Sequence, residues 1–535
     1  MPSAGGQDLL FPEYPSGSSN NHVVLILLIF TLGLVLRLFA WQQTSIINSD
    51  GAIYINQARA IYYGLWDSVN TCSTARFPTV TTLCIAAAYP ILGDWVAAGT
   101  FVSLFFGTIT LVPLYLLARR FFDRDISAVI ALVYALNPTL IDGSVDIVRD
   151  STAWFFLTLG LYLFTKDKKQ SDLYLVMSSI SFIVAAWARV EFFIFAVCTP
   201  IYIIMDREEK PLRRVAVFLL PAVAIFFAAI GSQLLFHPER VNWYRLTDIP
   251  QRASAFLSQY QEIRVQLADL ASHPKTEILA EFFNKIREII WFVGFGVILQ
   301  NILEAYYYPF FLLYLMGLGT LRQRMRGDMR VRYFYLLVPA AFLLLYCYLF
   351  VFWQMENRWF SLALFPSFIF LGYGLERLIS LLQSKFSMKR GMALLLICLL
   401  ILIFGLPKNL KPRGEDKIIF KALGETIAGL EGNAKRIEIL TVGGSQRWVW
   451  FYANLHFPGA PCTDDYVAYK QMIGNDYGQF LKFVKSRGIQ YLVREEKNWP
   501  AGSFDFLASP YERDFIPLGS WHHRDSGKIT LFKVR

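Results

Sequence analysis

Charge is what this chain has least of. Asp, Glu, Lys and Arg make up 17% of its 535 residues, where soluble globular domains carry about 25%. A soluble protein of this length is excluded, because too little polar side chain is present to cover its surface. Cysteine and histidine are sparse too, at six each, and neither falls into metal-ligand spacing. Cys198, Cys347 and Cys398 lie in apolar runs, where a thiol behaves as a small hydrophobe. Cys72 and Cys84 leave a bridge open, and His522-His523 reads as a solvated turn. The first 22 residues hold no Lys or Arg, which argues against a secretory leader. Rich in Gly, Ser, Pro and Asn, they are expected to be a disordered cytoplasmic tail.

What is abundant sets the class. Hydrophobic residues reach 55% and aromatics 16%, and the mean hydropathy is +0.40. Apolar stretches near the roughly 18 to 20 residues needed to cross a bilayer recur through the first three quarters of the chain. The fold class is therefore mainly α, a polytopic helical membrane protein. The net charge of +10 does not point to nucleic acid. Its basic residues cluster in short loops, at 119–124, 166–169, 207–214, 322–332 and 385–390, which is the positive-inside signature of cytoplasmic loops.

Parity across these loops gives about eleven spans. They are Val23 to Trp41, Asp94 to Ala118, Ile126 to Ile141, Ser151 to Thr165, Asp172 to Ala188, Glu191 to Met205, Val215 to Phe236, Glu304 to Leu321, Tyr333 to Trp353, Trp359 to Ser380 and Gly391 to Leu406. Thr79 to Gly93 is then re-entrant or interfacial, and Ile286 to Gln300 lies in or on the membrane without crossing. Three regions follow: the tail 1–22, a transmembrane domain 23–406, and an external domain 407–535. In the last, Lys408 to Asp416 is a charged linker. Strands are expected at 436–442, 489–493 and 529–534 and an amphipathic helix at 480–487, so this domain is small and α/β. Gly443-Gly444 after the first strand is a turn or, more sharply, a phosphate loop.

The same topology gathers ionisable residues on one face. Asp50 follows the first span, in Asn48-Ser49-Asp50-Gly51-Ala52-Ile53-Tyr54; Asp142, Asp146, Arg149 and Asp150 fill the second external loop; Arg76, Arg189 and Arg358 stand at other external membrane edges. Charges at these depths are costly and face a cavity or one another. Bland readings stand beside this one. Ser49 or Asp50 can cap the helix that runs from Ala52; Asp146, Arg149 and Asp150 can form a helix-start ion cluster; each arginine alone can snorkel to the interface.

The order of these features resembles the GT-C membrane glycosyltransferases, of the type that includes the dolichyl-phosphate-mannose protein mannosyltransferases and the aminoarabinose transferases, bacterial branch. The resemblance rests on Arg37, on Ser49 to Tyr54 with Gln57-Ala58-Arg59-Ala60, on Phe77-Pro78 leading to Tyr89-Pro90-Ile91-Leu92-Gly93, and on Leu114 to Phe122. It continues through the Pro138 to Asp150 loop, Ala188-Arg189-Val190-Glu191, and Asn357-Arg358-Trp359-Phe360 with Pro366. Roughly the first 400 residues are covered.

The resemblance implies a polyprenyl-phosphate sugar donor and Asp50 as general base. A hydroxyl is a poor nucleophile until a carboxylate takes its proton, and partial burial strengthens that base. Arg76, Arg149, Arg189 and Arg358 are the candidates for holding the departing phosphate, and a single displacement inverts the anomeric centre. Many relatives carry a second acid beside the first; here Gly51 follows Asp50, so Asp146 and Asp150 are left as acceptor ligands or second carboxylates. No metal or other cofactor is expected, although Asp50 with Asp146 or Asp150 leaves a divalent cation open. The acceptor is a lipid, a glycan or a protein, and the expected location is a bacterial cell membrane with the site outside. A transporter or flippase is the second class. A ligase of O-antigen type, using a lipid-diphosphate donor with His237 and Arg240 in its late loop, is the third.

Overall fold

Backbone N–H and C=O groups find no water inside a bilayer, so apolar runs wind into helices that satisfy themselves. The computed structural model describes residues 19–71, 78–166, 171–206, 210–236, 244–274, 276–319, 324–325, 328–432, 435–441, 445–461, 476–500 and 503–535. Among them, seven helices are long and apolar enough to cross a membrane: His22–Gln42, Trp95–Ala118, Pro211–Ala228, Glu277–Ala305, Arg330–Phe352, Asn357–Phe386 and Arg390–Asn409. Arg124–Leu136 and Pro138–Val145 make an eighth if taken together across a 56° bend, placed where Pro138 can neither donate a hydrogen bond nor let Asn137 stay helical. Val80–Leu92, Asp172–Ala188, Val190–Met205 and Tyr308–Leu318 are shorter apolar helices.

This is an integral, mainly helical membrane protein, as expected, but seven or eight of its described helices are long and apolar enough to cross, against about eleven spans expected. Ile286 to Gln300 belongs to a 29-residue helix, Glu277–Ala305, with a non-helical residue at Ile289. The charges of its first three turns conceal its length in the sequence. Conversely, the expected span Glu304 to Leu321 contains only the 11-residue helix Tyr308–Leu318, about 16 Å long at 1.5 Å per residue. The short helix packs tightly on Ser361–Phe386: a Cβ added at Gly317 would overlap the carbonyl of Phe370, and one at Gly374 that of Leu313.

The surface helix Ser49–Tyr62 is capped by Asn48, whose side chain accepts the Asp50 N–H at 3.0 Å. The cap is thus neither Ser49 nor Asp50, and the Asp50 carboxylate is left for other partners. Gly51 lies against the loop that follows Pro138–Val145, where a Cβ would come within 2.9 Å of Ile147 Cβ.

The C-terminal domain holds a four-stranded sheet, in the order β1-β2-β4-β3, from β1 (Ile439–Thr441), β2 (Tyr491–Glu495), β3 (Phe515–His523) and β4 (Gly527–Val534). β1 and β2 are parallel and the other pairs antiparallel. The helix Tyr477–Ser486 stands near its expected place, whereas Ile418–Glu431, Gln446–Ala453 and β3 are additions. His523 is not in a solvated turn: it is 8% exposed at the end of β3, and its Nδ1 accepts the Ser526 N–H at 3.2 Å.

One apolar core joins this domain to the membrane helices, including Ile55, Ile85 and Trp95 on one side and Phe420, Val449 and Trp450 on the other. Arg59, buried on the surface helix, donates to the carbonyls of Gly459 at 2.8 Å, Asn454 at 3.1 Å and Phe457. Burial lowers its pKa to about 10, as expected of a guanidinium whose acceptors are neutral carbonyls. Trp448 Nε1 donates to Ile47 O at 2.7 Å. The expected linker is pinned as well, since Arg413 pairs with Thr44 in a parallel bridge and its Nε lies 2.7 Å from Asp142 Oδ1. The domain is therefore seated on the segment that carries Asp50.

Candidate active site

Four chain segments meet at Asp50. The cap at Asn48 fixes its backbone, and its Oδ2 lies 2.7 Å from Arg358 Nη2 while its Oδ1 lies 2.9 Å from Arg447 Nη1. Arg358 sits in the 3-10 turn Asn357–Phe360, and Arg447 in Gln446–Ala453 of the C-terminal domain. Behind them, Asp150 opens the helix Asp150–Lys166. It is 1% exposed, forms a short contact with Arg189 Nη1, and lies 3.8 Å from Arg358 Nη1. Arg189 Nε reaches Glu191 at 3.3 Å, and Arg358 Nε reaches Glu356 at 2.5 Å.

Asp50, Asp150, Arg189 and Arg358, all singled out in the sequence, thus form one chain of alternating charge. Arg189 is 4% and Arg358 11% exposed at the side chain; with carboxylates facing them, both are held in place and do not snorkel. Arg149 lies beside the chain, 5.9 Å over the Tyr54 ring. Asp146 accepts the Asn48 Nδ2 amide at 3.2 Å. Because the helix starts at Asp150, Asp146 and Arg149 precede it, and the expected ion cluster along its first turn does not form. Asp150 acts as counter-ion to two arginines. Arg76, Cys72, Gly443-Gly444, His237 and Arg240 lie outside the described residues.

Arg447, Glu356 and Asn48 were not anticipated. Arg447 lies 397 positions from Asp50, in a segment where no element was expected. Asn48 was legible in principle, as the third cap-type residue in a row.

The electrostatics correct one expectation. Burial raises the pKa of Asp50, but Arg358, Arg447 and Arg149 together outweigh it and hold the carboxyl below its ordinary value. In the ligand-free site Asp50 is ionised and a weak base. Asp146 behaves oppositely: burial and the nearby Asp142 push it up to about 6. The folded chain therefore holds this proton more tightly than the unfolded one. Its contribution to stability is lost as pH rises from the ordinary aspartate value of 3.8 through about 6. Asp146→Asn keeps the shape and removes the titration. Parent and variant should melt together below pH 4 and the variant higher above pH 6, by thermal unfolding in detergent. Equal melting temperatures at every pH would contradict this.

Beside the ion chain a small pocket is lined by Arg189, Glu191, Phe192, Leu344, Leu345, Tyr348, Trp359 and Leu362. Its lining is apolar apart from Arg189 and Glu191, with Arg189 also 5.7 Å over the Trp359 ring. Among the described residues no group of three or more His, Cys, Asp or Glu is arranged to hold a metal ion.

The helical membrane domain, carrying its small C-terminal sheet domain, has the GT-C fold. Within it, residues 77–235 match the family model of the dolichyl-phosphate-mannose-protein mannosyltransferases. The structure is similar to ArnT from Cupriavidus metallidurans in the apo state, at 13% identity and a TM-score of 0.59, over 96% of this chain and 98% of that one. It is also similar to the same protein bound to undecaprenyl phosphate, at 12% identity and a TM-score of 0.56, over 96% and 98%. A third likeness is to the archaeal oligosaccharyltransferase AglB from Archaeoglobus fulgidus, in complex with an inhibitory peptide and a dolichol-phosphate. It has 12% identity and a TM-score of 0.53 over 88% of this chain and 69% of that one. None of the curated proteins matches the sequence.

Proposed function

We propose that the chain is an inverting glycosyltransferase that moves a sugar from a polyprenyl-phosphate donor to an acceptor hydroxyl on the outer face of the membrane, with Asp50 as general base. The observation that carries this reading is Asp50 held between two guanidinia, in an ion chain that runs through Asp150 to Arg189, and Arg189 lines a pocket with apolar walls. A lipid phosphate has the same two-part chemistry, an anionic head on a hydrocarbon stem. Solved relatives in complex with undecaprenyl phosphate and dolichol-phosphate support the choice of lipid.

The reaction follows from the residues. The acceptor oxygen bonds to the anomeric carbon as the carbon–oxygen bond to phosphate breaks. Asp50 takes the hydroxyl proton, and the bonding pair leaves with the lipid phosphate. Positive charge grows at the sugar and negative charge at the leaving oxygen, so fixed guanidinia near that oxygen stabilise the transition state more than the ground state. Arg358 is the candidate for this role: Asp150 and Glu356 face it directly, and Arg189 with Glu191 stands behind Asp150.

The test is transfer by the purified full chain, given a polyprenyl-phosphate sugar and extracts of envelope glycolipids, glycans and proteins as acceptors. The expected result is a glycosylated product of inverted anomeric configuration, read by NMR, and release of the lipid monophosphate. Retention of configuration removes the single displacement. Release from a lipid diphosphate alone favours the ligase class, and movement of lipid between leaflets without product favours a transporter.

A further inference from the structure

Asp50 is gripped on both oxygens, and the two grips come from different domains. Arg358 belongs to the membrane domain and Arg447 to the C-terminal domain, at 2.7 and 2.9 Å from separate carboxylate oxygens. The position of Arg447 is not left to its own side chain. The next residue, Trp448, donates to the carbonyl of Ile47, and Tyr452 on the same helix takes the Ile47 N–H at 3.3 Å. The helix is thus tied to the backbone three residues before Asp50.

A guanidinium receives carboxylate and phosphate through the same N–H···O geometry. A pair of guanidinia set on two oxygens of one anion therefore suits a phosphate as well, and the Asp50 carboxylate fills that place when no phosphate is present. We propose that Arg358 and Arg447 form an anion clamp shared between the two domains, that the lipid phosphate enters it in exchange for the Asp50 carboxylate, and that this exchange frees Asp50 to accept the acceptor proton. This inference rests on the donor chemistry proposed above.

The exchange gives the site an order of events. While both guanidinia face Asp50 the carboxylate is stabilised as an anion and draws protons weakly. Once the phosphate has taken them, their charge is spent on the phosphate and the carboxylate becomes the stronger base. The donor phosphate carries one negative charge as a diester and approaches two as the sugar leaves, so the pull of the clamp rises along the reaction coordinate. An acceptor hydroxyl arriving before the donor meets a base still engaged. Arg447 is by this account a phosphate ligand supplied by the C-terminal domain, and the seating of that domain is a condition for donor binding.

A plain docking ion pair between Arg447 and Asp50 makes the opposite forecast. If the pair only holds the domain down, losing either partner loosens the same contact, and Asp50→Asn and Arg447→Gln change phosphate binding in the same direction. If Asp50 competes with phosphate for the clamp, the two act with opposite sign.

The measurement is the affinity of the full-length protein for undecaprenyl phosphate, in nanodiscs of phosphatidylcholine, with no sugar or acceptor. Asp50→Asn should bind several times more tightly than the parent. Arg447→Gln should bind more weakly by about tenfold, the loss of one charge-assisted contact, and Arg447→Lys should recover part of this. A second readout is the acid limb of kcat/KM, which reports the free enzyme. It should move to higher pH in Arg447→Gln, because a carboxylate that loses a neighbouring positive charge keeps its proton longer. Parental affinity in Arg447→Gln, or weaker binding in Asp50→Asn, overturns the clamp. If the parent itself does not bind undecaprenyl phosphate, both the clamp and the donor reading fail. Parental binding that ignores position 447 removes the clamp alone.

Discussion

Asp50→Asn should lower sugar transfer by about a thousandfold, the middle of the range for a lost general base, while leaving the protein folded in the membrane. The amide matches the carboxylate in shape, and its single oxygen can accept from Arg358 or from Arg447 but not from both; it cannot accept the hydroxyl proton. Folding should survive because neither guanidinium is stranded. Arg358 keeps Glu356 and Asp150, and the Arg447 side chain is 22% exposed and so reaches solvent. The cap is also untouched, since it uses the Asp50 backbone N–H and the side chain of Asn48. Transfer rate and melting temperature, measured on the same preparation, separate the two effects. A variant that keeps more than about a tenth of parental turnover cannot be missing its base. Asp50→Glu should fall between the two, because the longer side chain keeps the proton acceptor but displaces it from the geometry set by the clamp.

The parts of this site that were legible in the sequence are those whose chemistry is expensive. A charged group at a membrane edge needs a partner, few such groups exist in a chain so poor in charge, and loop parity puts them on one side. Asp50, Asp150, Arg189 and Arg358 therefore stood out before any contact was known. Which of them touch is another matter. Asp150 looked like a second functional carboxylate, but spacing along the chain does not reveal that Arg189 and Arg358 close around it. Arg447 was invisible because the docking of the C-terminal domain depends on side-chain packing, by Trp448, Tyr452 and Arg59, that has no periodic signature. The fold shows the same division. Hydropathy finds helices but misplaces a crossing where charges occupy one end, as in Glu277–Ala305. β3 was missed because Pro517 and Gly519 interrupt its pattern. The structure tolerates both, since β3 is the edge strand and shifts register between those two residues.

Removing the counter-ion behind the site should do more damage to the fold than removing the base. Asp150 and Arg189 are both almost fully buried and in contact, and truncating one member of such a pair leaves the other charged and uncompensated, at a cost of about 3 to 5 kcal/mol. Asp150→Ala is therefore expected to lower the melting temperature sharply and to abolish transfer, because Arg358 loses one of the carboxylates that orient it. Loss of activity alone would not separate these causes. The double variant Asp150→Ala with Arg189→Met does, since it removes both charges and fills part of the space with an apolar side chain. Stability should return toward the parent, as replacing a whole buried pair costs far less than breaking it. Transfer should stay low, because Arg358 would still lack its inner support. If the double variant melts as low as the single one, the pair is not the source of the instability. If it regains transfer along with stability, Asp150 serves the fold and has no part in positioning the phosphate-binding arginine.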